Sequence, residues 1–243
     1  MTVVRTATFV LLHGGAHGGW CYRWLAAELR ARGHVVHAPT LTGFGERGHL
    51  AHCEPTTDDH VLEVVNVLTY EDLDDVVLVG HSLGGVVIPE VARRVPERIR
   101  RVVWLAAIVL DDGETVLDHF LAPSEAIREA TEPGPDGDPP DPMRLVEVFL
   151  PDGTPEQRAW VRDRLGPTTM ASLTHPGDLS GFLATGLPTG YVTALRDLAV
   201  PPDLARRFAD RLPGCRRVDV DAGHDLMISA PAATADALEV MLD

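Results

Sequence analysis

Gly80-His81-Ser82-Leu83-Gly84 follows the apolar run Asp75-Val76-Val77-Leu78-Val79 and precedes a helical pattern over 83–95. A serine between a strand and a helix, with glycine two residues away on each side, belongs at a sharp turn. The turn strains the serine backbone, and the glycines leave room for neighbouring chain. The hydroxyl is pushed out above the sheet at the positive end of the following helix. Ser82 is therefore the expected nucleophile.

A nucleophilic serine needs somewhere to put negative charge. His13-Gly14-Gly15-Ala16-His17-Gly18-Gly19-Trp20 directly follows the apolar run 7–12. A glycine-rich turn here can aim a backbone N–H at a developing oxyanion, with the N–H of Leu83 as the second donor. A phosphate-cradling loop is the rival reading, but neither G-x-G-x-x-G nor a lysine-bearing P-loop fits.

The serine also needs a base, and the chain has 11 histidines. His13 and His81 sit in the two loops and are expected to shape them. His34 and His37 flank a strand, His49, His52 and His60 fall in a polar loop, and His119 and His175 fall in a later helical region. His224, in Asp221-Ala222-Gly223-His224-Asp225, directly follows the last strand pattern, where loops of a parallel sheet face a site. It is the expected base. The orienting acid belongs between serine and base in chain order. Asp197, just after the strand pattern 191–195, is preferred. Asp111 or Asp112 is the rival, and Asp219 and Asp221 fall on or at the end of the last strand.

Strand patterns at 8–13, 35–38, 76–79, 101–106, 191–195 and 217–220 alternate with helical ones at 20–31, 57–68 and 83–95. That alternation predicts an α/β fold: a mostly parallel sheet of about six strands with helices on both faces. Pro89 falls in the middle of the third helix, where it removes a backbone bond and predicts a kink. Residues 111–188 break the alternation and are expected to form a helical cap (a lid) inserted after the fourth strand. The core is then 1–110 plus 189–243. Within the cap, 133–142 reads PGPDGDPPDP, which excludes regular structure. Thr154-Pro155-Glu156-Gln157 predicts a helix start with a capping box.

The formal net charge of −15 argues against nucleic acid and anionic membranes as partners. The chain has no lysine, so no Schiff-base or lysine-base chemistry is open to it. Cys21, Cys53 and Cys215 have neither paired nor metal-like spacing and are expected as free thiols in a reducing, cytoplasmic setting. No metal and no cofactor is expected, no cleavable leader is seen before the first strand, and a homodimer is left open.

These residues resemble the α/β-hydrolase superfamily along nearly the whole chain. More narrowly, they are similar to the group holding plant methylesterases, hydroxynitrile lyases and bacterial pyrethroid-type esterases. The shared stretches are FVLLHGGAHGGW (9–20), VGHSLGG (79–85), Leu105-Ala106-Ala107, Ala194-Leu195-Arg196-Asp197 with Val200-Pro201, and Ala222-Gly223-His224 with Ser229-Ala230-Pro231. Pro39-Thr40-Leu41-Thr42-Gly43 and the stretch through Gly45-Glu46-Arg47 to His49-Leu50 resemble bacterial members. The resemblance implies an α/β-hydrolase fold, a Ser82–His224–Asp197 triad, and Gly15 and Leu83 as oxyanion donors. The lyases of the group have threonine at Gly14 and lysine at Asp225. The expectation is that Gly14 leaves space on the substrate side and that the Asp225 carboxylate opposes a departing anion.

The implied activity is hydrolysis of a small carboxylic ester or related carbonyl compound through an acyl-enzyme. The rivals are a cyclase or lyase using the same site and a slow-turnover ligand receptor. Gly14, Phe120, Leu121, Phe149 and Trp160 are the candidate substrate contacts, with cap core packing as the alternative reading of the four large side chains. An aspartate nucleophile, as in haloalkane dehalogenases, is excluded by Ser82.

Overall fold

The computed structural model describes residues 6–120, 125–133 and 141–242. Six strands form one parallel sheet: β1 (Thr8–Leu12), β2 (Val35–His37), β3 (Val76–His81), β4 (Ile99–Leu105), β5 (Thr189–Ala194) and β6 (Arg216–Val220), in the order β2-β1-β3-β4-β5-β6. The α/β-hydrolase arrangement expected from the sequence is therefore present. The central strands are apolar because both faces are covered, and every residue of β3 and β5 is buried. The edge strands are less covered: β2 exposes Val35, and β6 alternates half-buried and exposed positions, which is why it carries Arg217 and Asp219 outward.

The period of two sorts the strand side chains into two cores. Val10, Leu12, Val76 and Leu78 enter one, with Val61, Val64 and Leu68 of α2 (Thr57–Tyr70) and Val87 and Val91 of α3 (Gly84–Arg94). Phe9, Leu11, Val77 and Val79 enter the other, with Leu25 and Leu29 of α1 (Arg23–Ala31). The first predicted helix starts late: Gly19–Tyr22 is a 3-10 turn and α1 begins at Arg23.

Pro89 stays inside α3. Lacking an N–H, it leaves the Gly85 carbonyl without its helical donor. The indole Nε1 of Trp104, on β4, donates to that carbonyl at 3.1 Å. A side chain of the neighbouring strand thus supplies the bond that the helix lacks.

Between β4 and β5 the chain forms α4 (Val116–Phe120), α5 (Glu125–Thr131), α6 (Pro142–Phe149), α7 (Pro155–Arg162), α8 (Met170–Thr174) and α9 (Leu179–Leu183). Thr154 and Gln157 make the reciprocal capping bonds that their spacing predicts. The segment packs downward into both cores: Val116 and Phe182 join one, Val146, Leu150 and Val161 the other. Of the proline-rich stretch, 134–140 lies outside the described residues. After β5 come α10 (Pro202–Asp210), the short α11 (Leu226–Ser229) and α12 (Pro231–Val240). No described helix is long and apolar enough to cross a membrane.

Candidate active site

Ser82 joins β3 to α3 with φ of 51°, in the left-handed region that a non-glycine residue enters at a cost of about 1–3 kcal/mol. The surroundings hold it there. Its N–H donates to Leu105 O at 3.3 Å, and its carbonyl accepts from Gly85 N at 3.0 Å and Ile108 N at 3.2 Å. The flanking glycines are needed for space: a Cβ on Gly80 would stand 2.6 Å from Gly84 O, and one on Gly84 2.8 Å from Leu12 O.

Asp197 and His224 follow β5 and β6 at the same end of the sheet. His224 Nδ1 donates to Asp197 Oδ2 at 2.8 Å, and both side chains are buried. Asp197 Oδ1 accepts from Ala199 N at 2.7 Å and Val200 N at 2.8 Å, so the carboxylate is oriented by backbone as well as by histidine. The rivals are engaged elsewhere. Asp112 accepts from Ser180 N, Asp111 Oδ1 accepts from Asp112 N, Asp219 is exposed on β6, and Asp221 pairs with Arg196. His81, beside Ser82, donates from Nε2 to the His224 carbonyl at 3.0 Å. The two imidazole rings lie 4.5 Å apart, centroid to centroid. The His81 Nε2–H bond leaves Nδ1 bare, and burial, with His224 and His17 nearby, holds this side chain neutral.

The glycine-rich loop is pinned from two sides. His13 Nδ1 donates to Gly14 O at 2.8 Å while its Nε2 accepts from Leu41 N at 3.1 Å. That pattern requires the neutral ring, and burial pushes His13 down to about 3. His17 Nδ1 donates to Gly15 O at 2.7 Å, and its Nε2 faces Asp225 Oδ2 at 3.2 Å. Burial opposes charge on His17, but Asp225 outweighs it and the imidazole is raised above its ordinary value. Sequence reasoning missed this pair. Asp225 is wholly buried and turned toward His17, so its carboxyl group faces that imidazole and not the departing anion that the sequence reading set against it.

A cavity of about 390 Å³ opens on Ser82, Gly15 and Leu83 and runs between Ile108, Phe149 and Phe208. Phe149 lines it and also lies 5.3 Å from the His224 ring. Gly14 is not on this cavity. A Cβ there would stand 2.7 Å from Ser82 Cβ, so the expected free space on the substrate side is absent. Trp160 is not on it either. Its ring packs on Trp20 and Trp24 at 5.1 and 4.6 Å, with Arg164 over its face, so it joins the inserted segment to the core. Leu121 and the Phe120 side chain lie outside the described residues. Two polar lining residues carried no local signal: Thr168, whose Oγ1 would stand 2.9 Å from a Cβ on Gly15, and His119, which bonds Glu114 at 2.9 Å. Among the described residues no cluster of histidine, cysteine and acidic side chains could hold a metal ion.

Comparison with known proteins agrees with this layout. The profile of the alpha/beta hydrolase family matches residues 9–237. A carbendazim hydrolyzing esterase of Nocardioides sp. is 35% identical over 97% of this chain and 99% of its own length. A pyrethroid hydrolase of Sphingobium wenxiniae is 29% identical over 96% of this chain and 87% of its own. Among solved structures, an extracellular alpha/beta-hydrolase from a Paenibacillus species superposes with a TM-score of 0.82 at 26% identity, covering 96% of this chain and 97% of that one.

Proposed function

This chain belongs to the alpha/beta hydrolase family, and from that premise we propose that it hydrolyses a small carboxylic ester through an acyl-enzyme on Ser82. The observation that carries the reading is the 2.8 Å bond between His224 Nδ1 and Asp197 Oδ2, at the sheet end where strained Ser82 meets an apolar cavity. The names of the two curated relatives, an esterase and a hydrolase, agree with it.

In the proposed mechanism His224 takes the Ser82 proton as Oγ bonds to the ester carbon, and the carbonyl electron pair moves onto oxygen. Asp197 holds the imidazolium in place. The Gly15 and Leu83 N–H groups receive the oxyanion. Collapse expels the alkoxide, which takes its proton from His224. Water, activated by the same imidazole, then attacks the acyl-enzyme and frees the acid. No metal or organic cofactor enters any step. The cavity suits an apolar acyl or alcohol group, with Phe149 as a contact, and the segment 111–188 serves as the lid over it. Hydroxynitrile lyase chemistry has less support, because the chain has no lysine to assist a departing anion. Free Cys21, Cys53 and Cys215 agree with a reducing, cytoplasmic setting.

The test is a panel of p-nitrophenyl and alkyl esters of graded acyl size, run beside Ser82→Ala. Loss of kcat on the order of 10⁴ to 10⁶ in the variant, with fluorophosphonate mass added at Ser82 alone in the wild type, is expected. Labelling at another serine, or faster cyanide release from mandelonitrile than hydrolysis of any ester, would refute the reading.

A further inference from the structure

The loop after β1 and the loop after β6 meet in one buried contact. His17 and Asp225, 208 residues apart, bond at 3.2 Å with side chains 1% and 0% exposed. Resting on the ester-hydrolase reading, we propose that this pair is a positioning device: protonated His17 clamps the Gly15 carbonyl, and Asp225, the neighbour of His224, ties that clamp to the loop of the base.

The chemistry of His17 follows from its partners. A carbonyl only accepts, so Nδ1 carries a hydrogen toward Gly15 O. Nε2 faces a carboxylate oxygen, so it too is a donor when Asp225 is ionised. The ring is then an imidazolium with both N–H groups committed. The titratable groups facing the pair leave it as the charged couple of its surroundings. Burial disfavours charge on His13 and His81, whose ring lies 6.0 Å from that of His17, and on the Cys21 thiol and the Tyr22 hydroxyl.

The clamp acts where catalysis needs rigidity. Gly15 lies between two peptides, each held through its carbonyl: His13 bonds Gly14 O and His17 bonds Gly15 O. The first peptide contains the Gly15 N–H, and a trans peptide sets that N–H opposite the Gly14 carbonyl. Ala16 follows with φ of 62° and is fastened on its far side by Gly166 N, which donates to Ala16 O at 2.9 Å. A donor already aimed before charge develops is what lowers the barrier. Fold stability alone is a poor reason for the pair, since apolar residues of like volume usually replace a buried ion pair without loss.

Two variants of the full chain test the inference: Asp225→Asn, and the apolar double variant His17→Phe with Asp225→Leu, which keeps a packed fold if the single change does not fold. The readouts are kcat and KM for p-nitrophenyl butyrate and inhibition by phenyl trifluoromethyl ketone and by acetophenone. Ser82 Oγ adds to the trifluoromethyl ketone carbon, its proton passes to His224, and an oxyanion remains in the hole. Acetophenone occupies the cavity as a ketone. A fall in kcat of about 10-fold to 100-fold is expected, with KM changed less than about twofold, trifluoromethyl ketone affinity falling in step with kcat, and acetophenone affinity unchanged. A folded variant with wild-type kcat and wild-type trifluoromethyl ketone affinity would overturn the inference. Equal losses for both ketones would overturn it too, since they mean a collapsed pocket. Wild-type protein that neither hydrolyses the ester nor binds the trifluoromethyl ketone would instead overturn the ester-hydrolase reading on which the inference rests.

Discussion

Replacing Trp104 by phenylalanine removes the donor that stands in for the missing N–H of Pro89. Trp104 is wholly buried, and its Nε1 reaches Gly85 O at 3.1 Å. Without it a buried carbonyl loses its partner, which costs about 1–3 kcal/mol. The lost ring volume adds a packing penalty of its own. Pro89→Ala changes the first term and leaves the second. The introduced alanine carries an N–H four residues after Gly85, in reach of the same carbonyl, so Trp104→Phe in that background carries the packing penalty only. The coupling between the two substitutions is therefore about 1–2 kcal/mol in the rescuing direction. For a chain of this length that is roughly 2–8 °C in Tm. Urea melts of wild type, the two single variants and the double variant, followed by far-UV circular dichroism, give the cycle. Penalties additive to within about 0.5 kcal/mol would refute the account of how α3 accommodates its proline.

Other expectations follow from the site. Asp197→Asn should lower kcat on the order of 10⁴-fold, because the amide favours the wrong imidazole tautomer. Asp111→Asn and Asp112→Asn should leave kcat within about a factor of three, well inside the spread of surface substitutions, and a reversed ranking would place the acid after β4. Gly14→Ala drives a Cβ to 2.7 Å from Ser82 Cβ, so the serine must shift. A loss of kcat of about 100-fold with little change in KM should appear in steady-state kinetics, and full activity would mean that the loop yields. Acid should weaken the fold before any carboxylate titrates. His13 and His81 are lowered from 6.5 by burial, so below that value the unfolded chain takes up protons that the folded chain refuses. Stability therefore falls with pH, by roughly 2–3 kcal/mol between pH 6 and 5 for the two together. His17, raised instead, is already protonated in both states there and does not offset the loss. Urea midpoints that stay constant over this interval would contradict the burial of neutral histidines.

The sheet was legible because strands such as β1 and β3, covered on both faces, read as apolar runs between turn residues. The Ser82 turn was legible from a local pattern, and chain order, which several aspartates satisfy, together with a place just after a strand pattern favoured the aspartate that the fold hydrogen-bonds to His224. What could not be read was orientation. Trp160 and Phe149 look alike as large residues of an inserted segment, yet one packs on Trp20 and Trp24 while the other faces the cavity. Gly14 suggests space, but the space is filled by Ser82 Cβ, which no local rule reveals. Local rules show that Pro89 costs α3 a backbone bond, but propensity cannot see the Trp104 donor on another strand that replaces it. The His17–Asp225 pair was hidden for the same reason. Its partners are 208 residues apart, and each also sits in a loop that already had a plausible role.

The sheet order has a consequence for synthesis. β6 pairs only with β5, and it is translated last of the six strands. A nascent chain that has folded through β5 already owns the turn bearing Ser82, but its imidazole has not yet been made. His81 and the His224 carbonyl it binds lie 143 residues apart. At about 5–20 residues per second a ribosome needs roughly 7–30 s to cover that distance. Until Asp225 is made His17 lacks its carboxylate partner, although Gly166 N can already fasten Ala16 O. In the proposed mechanism, arming the serine and closing the last sheet edge are thus one event, so a ribosome-bound chain stalled before residue 216 is expected to carry the hydroxyl without the reactivity.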